Sequence, residues 1–596
     1  MNSKSTLVWL VIAAALFAFI FAFEHFLRPP TTEVSTILPN LQPSSVTSVQ
    51  VIPANALEIR ADRTNNTWLL TKPIAYPAQT TAIEALLAAL QKLKPAIRIS
   101  AGELREQRGA EANYGFETPA VSLVVEAGDQ RWQLLVGNKT APGDQVFLRV
   151  VGKDGAFVTD AGWLKHLPNT ADDWRDTTLV DFGRAVPDWI ILTNGTKVIE
   201  LHRNTTNHLW EMTRPLVARA NTSRITEALQ RLQTARVSQF VTDNPKSDLS
   251  SFDLQPADLD LWLGRGTNFV TSIHVGKSPT NDSSLVYARH DGWSTIVTTA
   301  KEPLSPWFAA VNDFRDPYLF ELSAPVAEIE VRGTNSFTLL RKGTNDWHVV
   351  GENLPVDTDS VQHFIETLAN LRVTEFVKDV VTTPDLPAYG LATPAWQITL
   401  LTSAGDTNAV IAQLLFGATQ TNEVFVRRAD EDFVYAIPLE DFNQLPQASW
   451  ELRDRRIWNF SEADVVEVTI RQNGKTRQMI HNGLNQWSLA PGSQGIITPA
   501  AIEETVHRFG ELTATAWLAH NAAECEKFGF KPENLSITLE LKNGKQHTVD
   551  FGIAGSQTAV AAVTLDGERW GFVFPPVLYQ FVLSYLSIPA QQSGNP

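Results

Sequence analysis

Cysteine is all but missing from this 596-residue chain: Cys525 stands alone. That excludes an intramolecular disulfide framework and any cysteine-rich metal site. Positive charge is also short. With 49 Lys and Arg against 65 Asp and Glu the net charge is −16, which argues against a nucleic-acid partner, since phosphate binding needs a basic face. No Gly-x-Ser-x-Gly elbow and no His-x-x-x-His pair occurs, so two common hydrolase signatures are absent. Gly276-Lys277-Ser278 looks like the end of a phosphate-binding loop, but Thr271 stands where that loop needs its leading glycine.

What is present is the composition of an ordered protein: 43% apolar residues and 17 tryptophans. The length is too great for one core. One long uncharged run, Thr6–Phe23, is rich in Leu, Ile, Ala and Phe. As a helix it reaches roughly 27 Å, close to the hydrocarbon thickness of a bilayer. A cleaved signal would be shorter and followed by small residues, whereas Glu24-His25-Phe26-Leu27-Arg28-Pro29-Pro30 comes next. Residues 1–28 are therefore expected to form an uncleaved anchor. The short head carrying Lys4 and the large tail beyond Arg28 suggest export of residues 30–596. The Pro/Thr/Ser-rich stretch 29–45 is expected to be a stalk.

The rest of the chain repeats. A tryptophan closing a hairpin recurs as Trp68, Trp210, Trp347 and Trp487, a period of about 140 residues. An aromatic-Gly turn followed by proline recurs as Tyr114-Gly115 with Pro119, Tyr389-Gly390 with Pro394, and Phe528-Gly529 with Pro532. Phe252-Asp253 with Pro256 replaces the glycine by Asp. A strand-ending glycine recurs as Gly137, Gly276, Gly417 and Gly552. Helix starts are marked by Thr81-Ala-Ile-Glu84, Asp359-Ser-Val-Gln362 and Thr498-Pro499. Apolar stripes follow at helical spacing: Ile83, Leu86, Leu87, Leu90 and Leu93; Val361, Phe364, Ile365, Leu368 and Leu371; Ile502, Val506, Phe509 and Leu512. Strand-rich halves such as Val121–Glu126, Trp132–Val136, Val146–Val150 and Ala156–Thr159 come next, closed by short helices around Trp163, Trp307, Phe442 and Tyr579. The fold class is α+β: four tandem repeats, each a mainly antiparallel sheet with a covering amphipathic helix, behind one N-terminal transmembrane helix. The expected boundaries are 46–182, 183–322, 323–460 and 461–586, with 587–596 a disordered tail.

Whatever recurs four times is more readily architecture than active site. The hairpin tryptophans and the turn glycines are accordingly assigned to packing and backbone geometry. Trp174-Arg175-Asp176, Phe314-Arg315-Asp316 and Leu452-Arg453-Asp454 sit between repeats and are read as inter-repeat ion pairs or turns. Trp293, Trp396, Trp458 and Trp570 are not shared by all repeats and remain ligand candidates. Cys525 with His520, the histidines His202 and His208, and the carboxylate pairs Asp172-Asp173 and Glu503-Glu504 carry only weak signals, the pairs falling in surface-like contexts. No catalytic, cofactor-binding or metal residue is assigned, and no enzymatic activity or cofactor is expected.

With these landmarks in order, the chain over residues 46 to about 586 resembles the DUF4340 family, a bacterial domain of unknown function that is often tandem and often follows one membrane helix. Members are commonly encoded beside ABC-transporter subunits. The resemblance implies an auxiliary or scaffold subunit of an ABC-type transport or export complex, held at the cytoplasmic membrane with its bulk on the periplasmic side. The alternative is a cell-wall or polysaccharide-binding protein using the non-equivalent tryptophans.

Overall fold

The computed structural model describes residues 3–22, 35–183, 186–343, 346–404, 407–531, 534–552 and 559–588. The chain forms two compact units, Met1–Phe314 and Arg315–Pro596, and each contains two antiparallel sheets. The first sheet shows the plan. Its nine strands are β1 (Ser48–Pro53), β2 (Ile59–Thr64), β3 (Thr67–Lys72), β4 (Tyr76–Pro77), β5 (Ile97–Ile99), β6 (Val121–Ala127), β7 (Gln130–Lys139), β8 (Gln145–Val150) and β9 (Ala156–Asp160). Their order is β4-β3-β2-β1-β6-β7-β8-β9-β5. One meander runs outward from β1 to the β4 edge. The helix Thr80–Gln91 leads to β5 on the opposite edge, and a second meander fills the gap. The other three sheets, of nine, eight and eight strands, keep this order, the last two without a separate strand equivalent to β4.

Alternation along each strand buries one face. In β1, Val49 and Val51 point into the core with Leu123 and Val125 of β6, under Ile83, Leu86, Leu87 and Leu90 of the helix. The helix stripes of the third and fourth repeats are buried in the same way. At two of the three helix starts the capping differs from the sequence reading. The first helix begins at Thr80 with Gln79 as N-cap, and the third at Thr358 with Asp357 accepting from the Asp359 N–H. Glu84 is unavailable for a capping box because its carboxylate accepts from Trp68 Nε1 at 3.0 Å and pairs with Arg63. Thr498 is an N-cap with Pro499 following, as expected.

All four hairpin tryptophans are buried, and each faces a basic side chain in register: Arg63 opposite Trp68, Arg203 opposite Trp210, Arg341 opposite Trp347 and His481 opposite Trp487. The two glycine landmarks prove to be halves of one contact. Gly115, Asp253, Gly390 and Gly529 are left-handed, with φ between 53° and 81°. That turn lays the preceding aromatic residue's carbonyl on the strand-ending glycine. A Cβ on Gly137 would stand 2.0 Å from the Tyr114 oxygen, and one on Gly276 2.0 Å from that of Phe252. Pro532 lies outside the described residues.

The helix α1 covers Ser3–Ala22. Its side chains are described at Trp9 and from Val11 to Phe21, and among the described residues no helix is long and apolar enough to cross a membrane. The expected stalk lies outside the described residues up to position 34. From Ser35 onward it is not a free linker, because Ile37, Leu38 and Leu41 are buried in the first core and the Ile37 N–H donates to the Leu93 carbonyl at 2.9 Å. Of the expected tail, 589–596 lies outside the described residues, while the Ile588 N–H donates to Gln472 Oε1 at 2.8 Å.

Candidate functional site

The most elaborated recurrent site is the Arg-Asp junction. In the first unit the chain leaving the first repeat returns to its β4 edge: the Gln79 N–H donates to the Trp174 carbonyl at 2.7 Å and the Asp176 N–H to that of Pro77 at 2.9 Å. Two residues on it enters the second repeat, where the Val237 N–H donates to the Thr177 carbonyl at 2.7 Å. Between these bonds the buried Arg175 reaches into the second repeat. Its guanidinium lies 4.4 Å over Phe240, 5.0 Å over Tyr76 and 2.7 Å from Asp243. A buried guanidinium needs such partners, since its charge stays on at any ordinary pH.

The second unit repeats the arrangement. Arg453 lies 4.5 Å over Trp570 and 3.0 Å from Asp566, while the Asp357 N–H donates to the Leu452 carbonyl and the Ala514 N–H to that of Arg455. Arg315, also buried, lies 3.9 Å over Phe376 and 2.5 Å from Asp379. Each junction aspartate closes its own turn, accepting from the N–H two residues on: Thr178 at 2.8 Å, Tyr318 at 3.0 Å and Arg456 at 2.9 Å. The reading as ion pair plus turn holds at all three. In the fourth repeat the carbonyl two residues before the helix cap, that of Ile496, accepts instead from the guanidinium of Arg477 at 2.6 Å.

The remaining candidates do not gather into a chemical constellation. Trp396, Trp458 and Trp570 are buried, so the ligand reading of these three is corrected: their rings pack inside the protein. Trp293 is half-buried, 5.2 Å from Tyr76. Cys525 is buried, which pushes its thiol pKa up, while His520 pairs with Glu568 at 2.5 Å. Asp173 accepts from the Asn169 and Thr170 N–H groups, and Asp172 lies 3.2 Å from Arg175. Glu504 pairs with Arg508, but Glu503 is not the surface residue expected. It is buried, accepts from Trp487 Nε1 at 2.6 Å and lies 3.2 Å from His481. His202 lies 3.5 Å from Glu200. Lys277 lies 3.6 Å from Asp253, beside a Gly276 that is a packing glycine. Among the described residues no group of three His, Cys, Asp or Glu side chains is placed to hold a metal ion.

A cleft of about 640 Å³ in the first repeat is bordered by Arg105, Arg108, Lys153 and by Arg149, the last held by both oxygens of Glu111. In the second unit a cleft of about 400 Å³ includes His363, Trp517 and Glu451. Burial raises the Glu451 pKa, and its carboxylate accepts from the Gln447 N–H in the turn before the junction. In the first cleft Arg105 also donates to the Ala101 carbonyl and Lys153 to that of Ile37. The residues that sequence reasoning passed over are Trp189 and Trp262, half-buried on the uncovered face of the second sheet.

Among curated proteins no sequence matches the chain. The family described as Domain of unknown function (DUF4340) matches residues 68–207, 210–352 and 347–530. Each match opens on a hairpin tryptophan, so its register is offset from the sheets, and the third runs on through Trp487 into the fourth repeat. Three consecutive matches covering most of the chain make this protein a member of the DUF4340 family, with the domain repeated in tandem.

Proposed function

We propose that this protein is a membrane-anchored, non-enzymatic envelope protein, an auxiliary or scaffold subunit of an ABC-type transport or export complex that acts through protein–protein contacts. The observation that carries the reading is α1. Trp9, Val11, Ile12, Leu16, Phe17, Phe19, Ile20 and Phe21 are exposed, and at 100° per residue they surround the helix. A helix apolar all round belongs in a core or a bilayer. Twenty residues at 1.5 Å per residue give roughly 30 Å, a length comparable to the hydrocarbon layer of a bilayer. Arg175 and Arg453 support the scaffold role by coupling the two repeats within each unit, and the family resemblance supplies the partner class. An array held at the membrane gains avidity from several weak contacts.

The test compares crosslinked membranes containing the full chain with residues 35–588 alone. Transporter subunits should co-purify with the full chain and far less with the fragment. Recovery of glycan alone with both forms would overturn the scaffold reading. An alkaline phosphatase fused after residue 596 should be active, and inactivity there would reverse the orientation.

A further inference from the structure

The central strands of each sheet turn one face away from the helix that covers the core, and the four repeats can be compared there position by position. The central cross-strand pair on that face is Gln50 with Val124 in the first repeat, Glu330 with Thr399 in the third and Thr469 with Thr538 in the fourth. In the second it is Ile191 with Trp262. The neighbouring pair is Ser48 with Glu126, Glu328 with Leu401 and Glu467 with Glu540 elsewhere, but Trp189 with Gly264 here. One repeat has therefore placed aromatic side chains where the others place mostly polar ones.

The patch is built, not incidental. A Cβ on Gly264 would stand 1.9 Å from Trp189 Cζ2 and 2.0 Å from its Cε2, so the half-buried indole occupies the space that only a glycine leaves free. Its Nε1–H donates to the Gly266 carbonyl at 3.1 Å, which fixes the ring. Phe269 is 54% exposed and its ring lies 6.0 Å from that of Trp262. The bordering carboxylates have side-chain partners: Asp260 lies 2.5 Å from His274 Nδ1, and Glu200 lies 3.2 Å from Arg214 and 3.5 Å from His202.

We propose that this face of the second repeat binds a neutral polysaccharide. The C–H faces of a sugar ring are apolar and slightly positive, and they stack on the negative face of a flat, fixed indole. Sugar hydroxyls donate to and accept from the carboxylates, imidazoles and guanidinium around it. Both rim carboxylates are already engaged by side-chain partners, which favours an uncharged polymer over a cationic one. The proposal is independent of the scaffold reading and uses none of the tryptophans first considered for glycan contact.

The full chain in detergent is titrated with chitohexaose and with laminarin, following tryptophan fluorescence and heat. At least one of these neutral probes should bind. Trp262→Ala should weaken that binding at least tenfold and Phe269→Ala at least threefold. Phe269→Ala guards against loss of fold, because its ring is mostly in solvent. Failure of the native chain to bind either probe overturns the proposal, as does native-like binding by both variants. A photo-crosslinker at position 269 that captures a protein from cells, with neither probe bound, assigns the face to a protein partner instead.

Discussion

Gly137 and Tyr114 are 23 positions apart in sequence and touch in every repeat, which makes them a sharp test of side-chain logic. Gly137→Ala puts a Cβ against a backbone oxygen that cannot rotate away. Overpacking of this kind costs about 1–3 kcal/mol, read as a shift in denaturation midpoint of the first repeat. Trp68→Ala removes a buried ring and one of the two partners of Glu84, and should cost about 3–5 kcal/mol in the same measurement. His290 supplies a pH dependence. Burial lowers its pKa, and its Nε2 contacts the Leu179 carbonyl. The folded state therefore keeps it neutral while the unfolded state binds a proton as pH falls below the unperturbed value of about 6.5. Stability of the second repeat should be full above that pH and decline below it, by at most about 1.4 kcal/mol per pH unit. Thermal denaturation of the native chain and His290→Gln between pH 7.5 and 5.5 checks this; equal slopes would rule the residue out.

At the level of elements, much was legible because the governing signals are local. Helix stripes, strand alternation and the four tryptophans rest on periodicity, and periodicity survives folding. The left-handed turn at Asp253 could also be read, since only a few residue types tolerate positive φ. Three things were hidden. The helix caps at Gln79 and Asp357 lie two residues before the expected ones: in the first repeat Glu84 is recruited by Trp68 and Arg63, a contact no local window contains, and in the third Asp357 caps the Asp359 N–H. The strand order depends on β5 crossing to the far edge, and β5 is only three residues long. The open face of the second repeat was missed although its signal was present: Trp189-Ile190-Ile191-Leu192 is apolar on both faces of a strand, unlike its counterparts, and aligning the repeats strand by strand would have shown it. Conversely, no single-repeat pattern distinguishes buried Trp396 from a surface platform. At the junction element, Arg175→Ala leaves Asp243 without its guanidinium partner and Phe240 without its stacked cation. The cost should be on the order of 2–3 kcal/mol, below that of a fully buried pair because Asp243 is about one-third exposed. Arg175→Lys should recover only part of it, since an ammonium does not stack as a planar fork does.

Across the whole molecule, the two repeats of each unit are bonded through a junction segment, so unfolding should proceed in more than one step. Calorimetry of residues 35–588 showing a single two-state transition would contradict that. The central claim is that the recurring landmarks are architecture, with the arginines coupling one repeat to the next. Hydrogen exchange of the Arg453→Ala chain tests it most directly. The Asp357, Asp454 and Ala514 amides, which bond the junction to both flanking repeats, should lose protection together while the cores of the third and fourth sheets keep theirs. Unchanged protection at these three amides would show that the arginine does not hold the repeats together.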